Sequence, residues 1–423
     1  MQSFLSLLFS FHLLLASVLC SPAALSQSRL HLTEPTPATE SVSSKESAPP
    51  DSVSEDGSAA DQVLMSSITA PGAVLMEAST GTILFEKDSH TKRHPASITK
   101  IMTLILIFDA LENGSIHLTD TVSVSEHAAS MGGSQVFLEP GETQDVETMI
   151  KCISIASAND ACVAMAEFIS GSEEAFVTEM NARAKALGMN DTTFINCCGL
   201  DADGHMTSAY DVALMSRELT VRYPKIHDYC TIWMDTMTHV TARGSSEFGL
   251  TNTNKLIRQY EYATGLKTGS TGLAKFCVSA TAEKDDMELI AVIMGSENPK
   301  QRFGDAATLL NFGFSKCRIY TDEHKETLPT LPVKKGTANA LNVEFKNPFQ
   351  YLSVDGSDFS AIEKEISLPE NATAPVKKGD KIGEAVYRLG TEKIGSVDIV
   401  AANDIAKANF SDYIKDIFLK YFS

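Results

Sequence analysis

Pro95-Ala96-Ser97-Ile98-Thr99-Lys100-Ile101-Met102-Thr103-Leu104-Ile105-Leu106-Ile107-Phe108-Asp109-Ala110-Leu111 is too long and too evenly apolar for a strand. It reads as a helix buried on nearly every side. Pro95 stands just before it, where a missing N–H is no loss because the first amides of a helix lack partners. Ser97 is therefore expected in the first turn. Lys100 follows three residues later, on the same face. A serine hydroxyl is a weak nucleophile that needs a neighbouring base. A lysine at this spacing is in reach of it, provided the lysine is neutral for part of the time. Ser89-His90-Thr91-Lys92 repeats the S-x-x-K spacing, but in a polar stretch with no apolar helix behind it.

Two further strings lie downstream, Ser157-Ala158-Asn159 and Lys267-Thr268-Gly269 followed by Ser270. Each is common by chance, and Ser296-Glu297-Asn298 is a second S-x-N. The ordered set is not common, and it is the one used by active-site-serine acyl-transfer enzymes. Ser157 is placed to relay a proton between Lys100 and a leaving amine, and Asn159 to offer its amide to a substrate peptide group. Lys267 and Thr268, on a strand at a sheet edge, suit a carboxylate, and Lys267 supplies positive charge near Lys100. The backbone N–H groups of Ser97 and Ser270 are the expected oxyanion donors. His94 and His205 read as structural, and Arg302 as half of a local salt bridge. This chemistry calls for no cofactor and no metal, and no C-x-x-C spacing appears.

Strand-like runs stand at both ends of this region. Ala73–Met76 and Thr82–Phe85 flank a turn at Ser79-Thr80-Gly81, and Phe276–Ala280 and Glu288–Ile293 follow the K-T-G string. Helices are expected between them over 149–170, 173–187 and 211–222, with a closing helix over 301–314. The pattern predicts an α+β domain over 62–316, an antiparallel sheet covered by helices. Over 317–402 short β-rich runs separated by Pro, Gly and charge predict a small all-β domain, in which Val333-Lys334-Lys335-Gly336 recurs as Val376-Lys377-Lys378-Gly379. Residues 403–423 read as an amphipathic helix, with Phe410, Tyr413, Ile414, Ile417, Phe418 and Tyr421 along one stripe.

The 423 residues, 43% hydrophobic with a net charge of −19, leave no basic surface for nucleic acid. An apolar run from Phe4 to Leu19 followed by Ala24-Leu25-Ser26 predicts a signal peptide over 1–26, although its first residues carry no Lys or Arg. Leu19 is too bulky for a good lipidation signal at Cys20. Residues 27–61, rich in Ser, Pro and acid, are expected to form a disordered tether. The seven cysteines that remain read as buried free thiols.

The chain resembles the low-molecular-mass penicillin-binding proteins that are serine-type D-alanyl-D-alanine carboxypeptidases. Three segments carry the resemblance. They are Pro95 to Thr103, Ser157-Ala158-Asn159-Asp160-Ala161, and Asn252-Thr253-Asn254-Lys255-Leu256 with Gly265-Leu266-Lys267-Thr268-Gly269. It extends from about Ala70 to about Val400. It implies a β-lactamase/transpeptidase-like fold, Ser97 as acyl-ester nucleophile, Lys100 as proton acceptor, Ser157 as relay and Lys267 as carboxylate ligand. The implied partners are peptidoglycan stem peptides, β-lactams as covalent inhibitors, and the outer face of the cytoplasmic membrane through the terminal helix. A DD-endopeptidase would use the same residues, but the extra domain and terminal helix argue against it. A β-lactamase would need a deacylating glutamate loop, and no E-x-x-L-N occurs between Ser157 and Lys267. A catalytically silent wall-binding protein should have lost a motif residue, and none is lost.

Overall fold

The computed structural model describes residues 59–423 except 242, 355–356, 415–417 and 419–423. The expected signal peptide, 1–26, and most of the expected tether lie outside the described residues. Helix Ala59–Ser67 takes in 59–61, so the stretch read as tether ends in ordered backbone, and Leu64 packs into the core behind it.

Five antiparallel strands make the central sheet, in the order Ile83–Lys87, Gly72–Glu77, Met287–Ser296, Lys275–Lys284, Ala263–Thr271. Its middle strands are apolar on both faces because both faces are covered. Val74, Met76, Ile290, Val292 and Met294 join the core on the side of the nucleophile helix. Ala73, Leu75, Leu289, Ala291 and Ile293 join the opposite core, under helix Pro299–Lys316. Each fully buried large apolar side chain contributes about 1.5–3 kcal/mol, so the two covered faces dominate the stability of this layer. The Ala263–Thr271 strand closes the sheet on one side and carries the K-T-G string.

The remaining helices of this layer are inserted between Lys87 and Ala263. The helix Lys100–Glu112 is buried from Lys100 through Phe108, as an all-round apolar run requires. The expectation of one helix over 149–170 is corrected. Helix Val146–Lys151 widens into a π-turn at Cys152–Ala156, Ser157 takes φ 61°, and a new helix runs Asn159–Ser170. Apolar periodicity continues through the break, which hides it, and only the left-handed residue reveals it. Helix Ala209–Arg217 widens in the same way over Glu218–Arg222.

Between Lys316 and Phe410 the described residues are all-β apart from short turns. A four-stranded sheet runs Val343–Phe345, Glu392–Ala401, Lys381–Leu389, Ile362–Ser367. Both copies of the V-K-K-G string pair with one later segment, Gly336 with Lys407 and Val376 with Ile405. That pairing corrects the reading of a helix from residue 403. Ile405 is buried in the β core, and helix begins only at Phe410.

Candidate active site

The turn that bears the candidate nucleophile, Ser97, is built before the helix proper. Ala96–Thr99 forms one 3-10 turn that leads into Lys100–Glu112, so Ser97 stands at the mouth of the helix, half-buried. Lys100 Nζ lies 3.0 Å from Ser97 Oγ. It is held there by two acceptors, Asn159 Oδ1 and the carbonyl of Cys198, each at 2.6 Å. Lys100 is fully buried, so its amine cannot swing into solvent. Thr99 is braced from the other side. Ile195 N–H donates to His205 Nδ1, which leaves Nε2 to donate to Thr99 Oγ1 at 2.8 Å. Burial first, and the charge of His94 second, hold His205 down at about 4, so it is a neutral strut and not an acid or base.

Ser157 takes its left-handed backbone two residues before Asn159, and its buried hydroxyl has no hydrogen-bond partner among the described residues. An unpaired buried hydroxyl is costly, which leaves it available to a bound group. Asn159 was expected to offer its amide to a substrate. Within the protein Oδ1 accepts from Lys100, and Nδ2 donates one of its two N–H groups to the carbonyl of Gly132 at 2.7 Å. Its neighbour Asp160 accepts the N–H groups of Val136 and Leu138. The second motif thus positions Lys100 and the 132–138 loop at once.

The K-T-G strand forms the opposite wall. A Cβ on Gly269 would lie 3.0 Å from the amide nitrogens of Ser97 and Ile98 and from the carbonyl of Pro95. Only a residue without a Cβ lets this strand lie so close to the turn that bears Ser97. Lys267 is buried, with Nζ 3.3 Å from the Thr268 carbonyl. Burial, reinforced by the charge of Lys100, lowers its amine to about 7. Thr268 Oγ1 donates to Thr253 Oγ1, and Asn252 and Asn254 pin that segment through the carbonyls of Cys230, Ile232 and Gly265. Ser270 is exposed on the same strand. Arg302 makes no ion pair among the described residues, contrary to expectation. It donates to the carbonyls of Gly269 and Cys277 at 3.1 Å and lies over the rings of Phe276 and Phe303. The extended strand end offers carbonyls where no carboxylate is near.

Ser97, Lys100, Asn159, Lys267 and Thr268 therefore converge, with Ser157 two residues before Asn159, and the look-alike strings do not. Ser89 Oγ is bonded to Glu86, with Lys92 exposed, and Asn298 caps the helix Pro299–Lys316. Sequence reasoning missed Asn196 and Gly199. Asn196 Oδ1 accepts the N–H of Gly199 at 2.7 Å and of Leu200 at 3.1 Å, shaping the turn that presents the Cys198 carbonyl to Lys100. Gly199 has φ +87°, and a Cβ there would fall 1.9 Å from the Ala96 carbonyl oxygen. The signal was an Asn followed three residues later by Gly, a turn pattern of little weight by itself.

Residues 57–298 match the D-alanyl-D-alanine carboxypeptidase family, and 319–407 the C-terminal domain of penicillin-binding protein 5. D-alanyl-D-alanine carboxypeptidase DacF of Bacillus subtilis is 43% identical over 82% of this chain and 88% of its own length. The chain belongs to the D-alanyl-D-alanine carboxypeptidase family. Another relative, D-alanyl-D-alanine carboxypeptidase DacA of Escherichia coli, is 32% identical over 84% of this chain and 89% of its own. Penicillin-binding protein 5 of Haemophilus influenzae superposes with a TM-score of 0.66 at 29% identity, over 80% of this chain and 98% of that one. The α+β sheet domain followed by an all-β domain is thus the arrangement of this family.

Away from the cleft, Asp322, His324 and Glu326 are the ligand-type side chains grouped closely enough to consider for a metal among the described residues. Lys364 Nζ already donates to Asp322 at 2.8 Å, to His324 and to Glu326, so the protein supplies its own cation there. The ammonium and the backbone N–H of His324 hold the Asp322 carboxyl at about 2 in spite of burial.

Proposed function

We propose that this family member is an exported serine carboxypeptidase that removes the terminal D-alanine from peptidoglycan stem pentapeptides through an acyl-enzyme on Ser97. The observation that carries the reading is the Lys100 amine, 3.0 Å from Ser97 Oγ and fixed by two further acceptors. Lys100 takes the hydroxyl proton as Ser97 Oγ attacks the D-alanyl carbonyl. The N–H groups of Ser97 and Ser270 receive the developing oxyanion. Ser157 passes the proton to the departing D-alanine amine, and water then hydrolyses the ester. Lys267 and Thr268 bind the substrate's terminal carboxylate, and Asn159 acts by holding Lys100. β-Lactams acylate the same serine. Release of D-alanine from a peptide ending in D-Ala-D-Ala, assayed beside labelling by a fluorescent penicillin, tests the reading. Absence of both from folded protein overturns it.

The two lysines have separate jobs in this scheme. Lys100→Arg keeps a charge that cannot act as a base at neutral pH, so acylation is expected to collapse. Lys267→Arg retains a cation for the carboxylate and should keep more activity. Equal losses would count against the division.

A pH dependence follows from the lowered Lys267. Its amine is charged below about 7 and neutral above, and only the charged form attracts a carboxylate. In the free enzyme, affinity for the peptide is therefore expected to fall as pH rises through that region, visible as a rising KM. With Lys267→Arg the cation persists and this alkaline rise in KM should disappear. A KM that is flat across neutrality in the parent enzyme would refute the assignment.

Residues 409–423 are the proposed contact with the outer face of the membrane. Phe410 is 80% exposed and Phe418 60%, with Tyr413 and Ile414 also exposed. Among the described residues no helix is long and apolar enough to cross a membrane, so attachment would be interfacial. Asp412 and Asp416 offset Lys415 and Lys420, and binding is expected to be reversible and insensitive to salt. Deleting 409–423 should abolish co-sedimentation with lipid vesicles and leave the unfolding temperature unchanged. Unaltered sedimentation, or a marked fall in that temperature, would assign the segment to the fold.

A further inference from the structure

Cys197 and Cys198 adjoin the nucleophile helix, and nothing in the reaction above uses their thiols. Both are buried and free. Their carbonyls are tied to that helix, Cys197 O by Thr103 Oγ1 at 2.5 Å and Cys198 O by Lys100 Nζ at 2.6 Å. Cys198 Sγ donates to Asn196 Oδ1 at 3.6 Å. The neighbouring Cys197 thiol, against burial and with help from the Lys100 charge and the Leu200 N–H, lowers Cys198 to about 7. Burial, and the neighbouring Cys198 thiol, push Cys197 up. Cys198 is therefore the more readily ionised of two adjoining thiols, the order needed for an attacking and a resolving sulfur.

We propose that Cys197–Cys198 is an oxidation site at which a hydroperoxide closes a disulfide between neighbours, and that closure switches off acylation at Ser97. The Cys198 thiolate attacks one oxygen of hydrogen peroxide and the O–O bond breaks. The departing hydroxide takes up a proton to leave as water, and Cys198 becomes a sulfenic acid. The Cys197 sulfur then attacks the Cys198 sulfur, the S–O bond breaks, and hydroxide leaves with the Cys197 proton as a second water. Two thiols lose two electrons, and the peroxide gains them.

The coupling to catalysis is geometric. Neighbouring Cα atoms are about 3.8 Å apart across a trans peptide, closer than the roughly 4.4–6.8 Å that disulfides ordinarily span. The ring closes only if the intervening peptide twists. That peptide bears the carbonyl that Thr103 holds, and the next carbonyl holds Lys100. Gly199 has no slack to absorb the twist, since its missing Cβ would already overlap Ala96. Oxidation should therefore pull the Cys198 carbonyl from Lys100.

The inference rests on Ser97 being the acylated residue, which the untreated enzyme tests separately through its labelling. Purified enzyme exposed to hydrogen peroxide is expected to show two fewer titratable thiols after unfolding. Mapping should find the peptide holding Cys197 and Cys198 lighter by two hydrogens. Acylation by fluorescent penicillin should slow roughly ten- to hundredfold, the effect of losing one hydrogen bond to a charged group. Dithiothreitol should restore it. Cys197→Ser, or Cys197→Ala if the serine variant folds poorly, cannot close the ring and should keep its own untreated rate after the same exposure. A closed ring with undiminished acylation overturns the proposal. So does a pair that stays reduced, or a variant inactivated as fully as the parent.

Discussion

Ser97→Ala is expected to abolish covalent penicillin labelling and to lower D-alanine release by on the order of 10⁴-fold or more, the usual result of removing a covalent nucleophile. Ser89→Ala should leave both intact. The contrast is built into the two environments. Ser97 Oγ faces a buried lysine amine, whereas Ser89 Oγ is committed to Glu86. Loss of the Ser97 hydroxyl leaves Lys100 with Asn159 and the Cys198 carbonyl as acceptors, so stability should change by less than about 1 kcal/mol. The inactive variant should unfold at nearly the parent temperature, which separates lost chemistry from lost structure. Labelling that survives Ser97→Ala would end the mechanism.

Gly199→Ala is expected to have the second largest effect, at a residue that takes no part in the chemistry. Its Cβ would sit 1.9 Å from the Ala96 carbonyl oxygen and 2.9 Å from Thr99 Oγ1, in a backbone conformation with φ +87°. Both atoms belong to the turn that bears Ser97, and one of them is backbone, so the turn and the Cys198 carbonyl must move apart. A displacement of about 1 Å at a reacting group costs roughly 10²-fold, and acylation should fall by at least that much. The unfolding temperature should fall as well. Gly204→Ala is the control, with φ +78° and nothing within 4 Å of its missing Cβ. It carries the backbone cost alone, roughly 1–2 kcal/mol, and should acylate at the parent rate. Equal acylation by the two variants would show that the contact with Ala96 does not set the nucleophile's position.

Much of the architecture was legible along the chain because burial leaves a periodic mark. The apolar run after Ser97 read as a covered helix, and the runs around Val74 and Val292 as strands, while their burial on both faces appeared only with packing. The breaks were harder to see. Nothing in Cys152–Ala156 announces a widened turn, because the same apolar residues would suit an unbroken helix. The helix expected from residue 403 failed for a related reason. An apolar residue such as Ile405 fills a β core as well as a helical stripe, and only the partner segment decides between them.

The amino-acid order by itself determined the candidate nucleophile, its lysine one turn away, and the two strings that complete the set, because i and i+3 on a helix are neighbours whatever the rest of the chain does. Contacts between residues far apart in sequence belong to the tertiary structure alone. It set Asn159 between Lys100 and Gly132, gave Arg302 two carbonyls in place of a carboxylate, and set the Cys198 carbonyl on Lys100. It also lowered Lys267 to about 7, since that shift comes from burial and from the charge of Lys100, a residue on a different element. Local spacing is written along the chain, whereas desolvation and long-range hydrogen bonds exist only once the elements have packed.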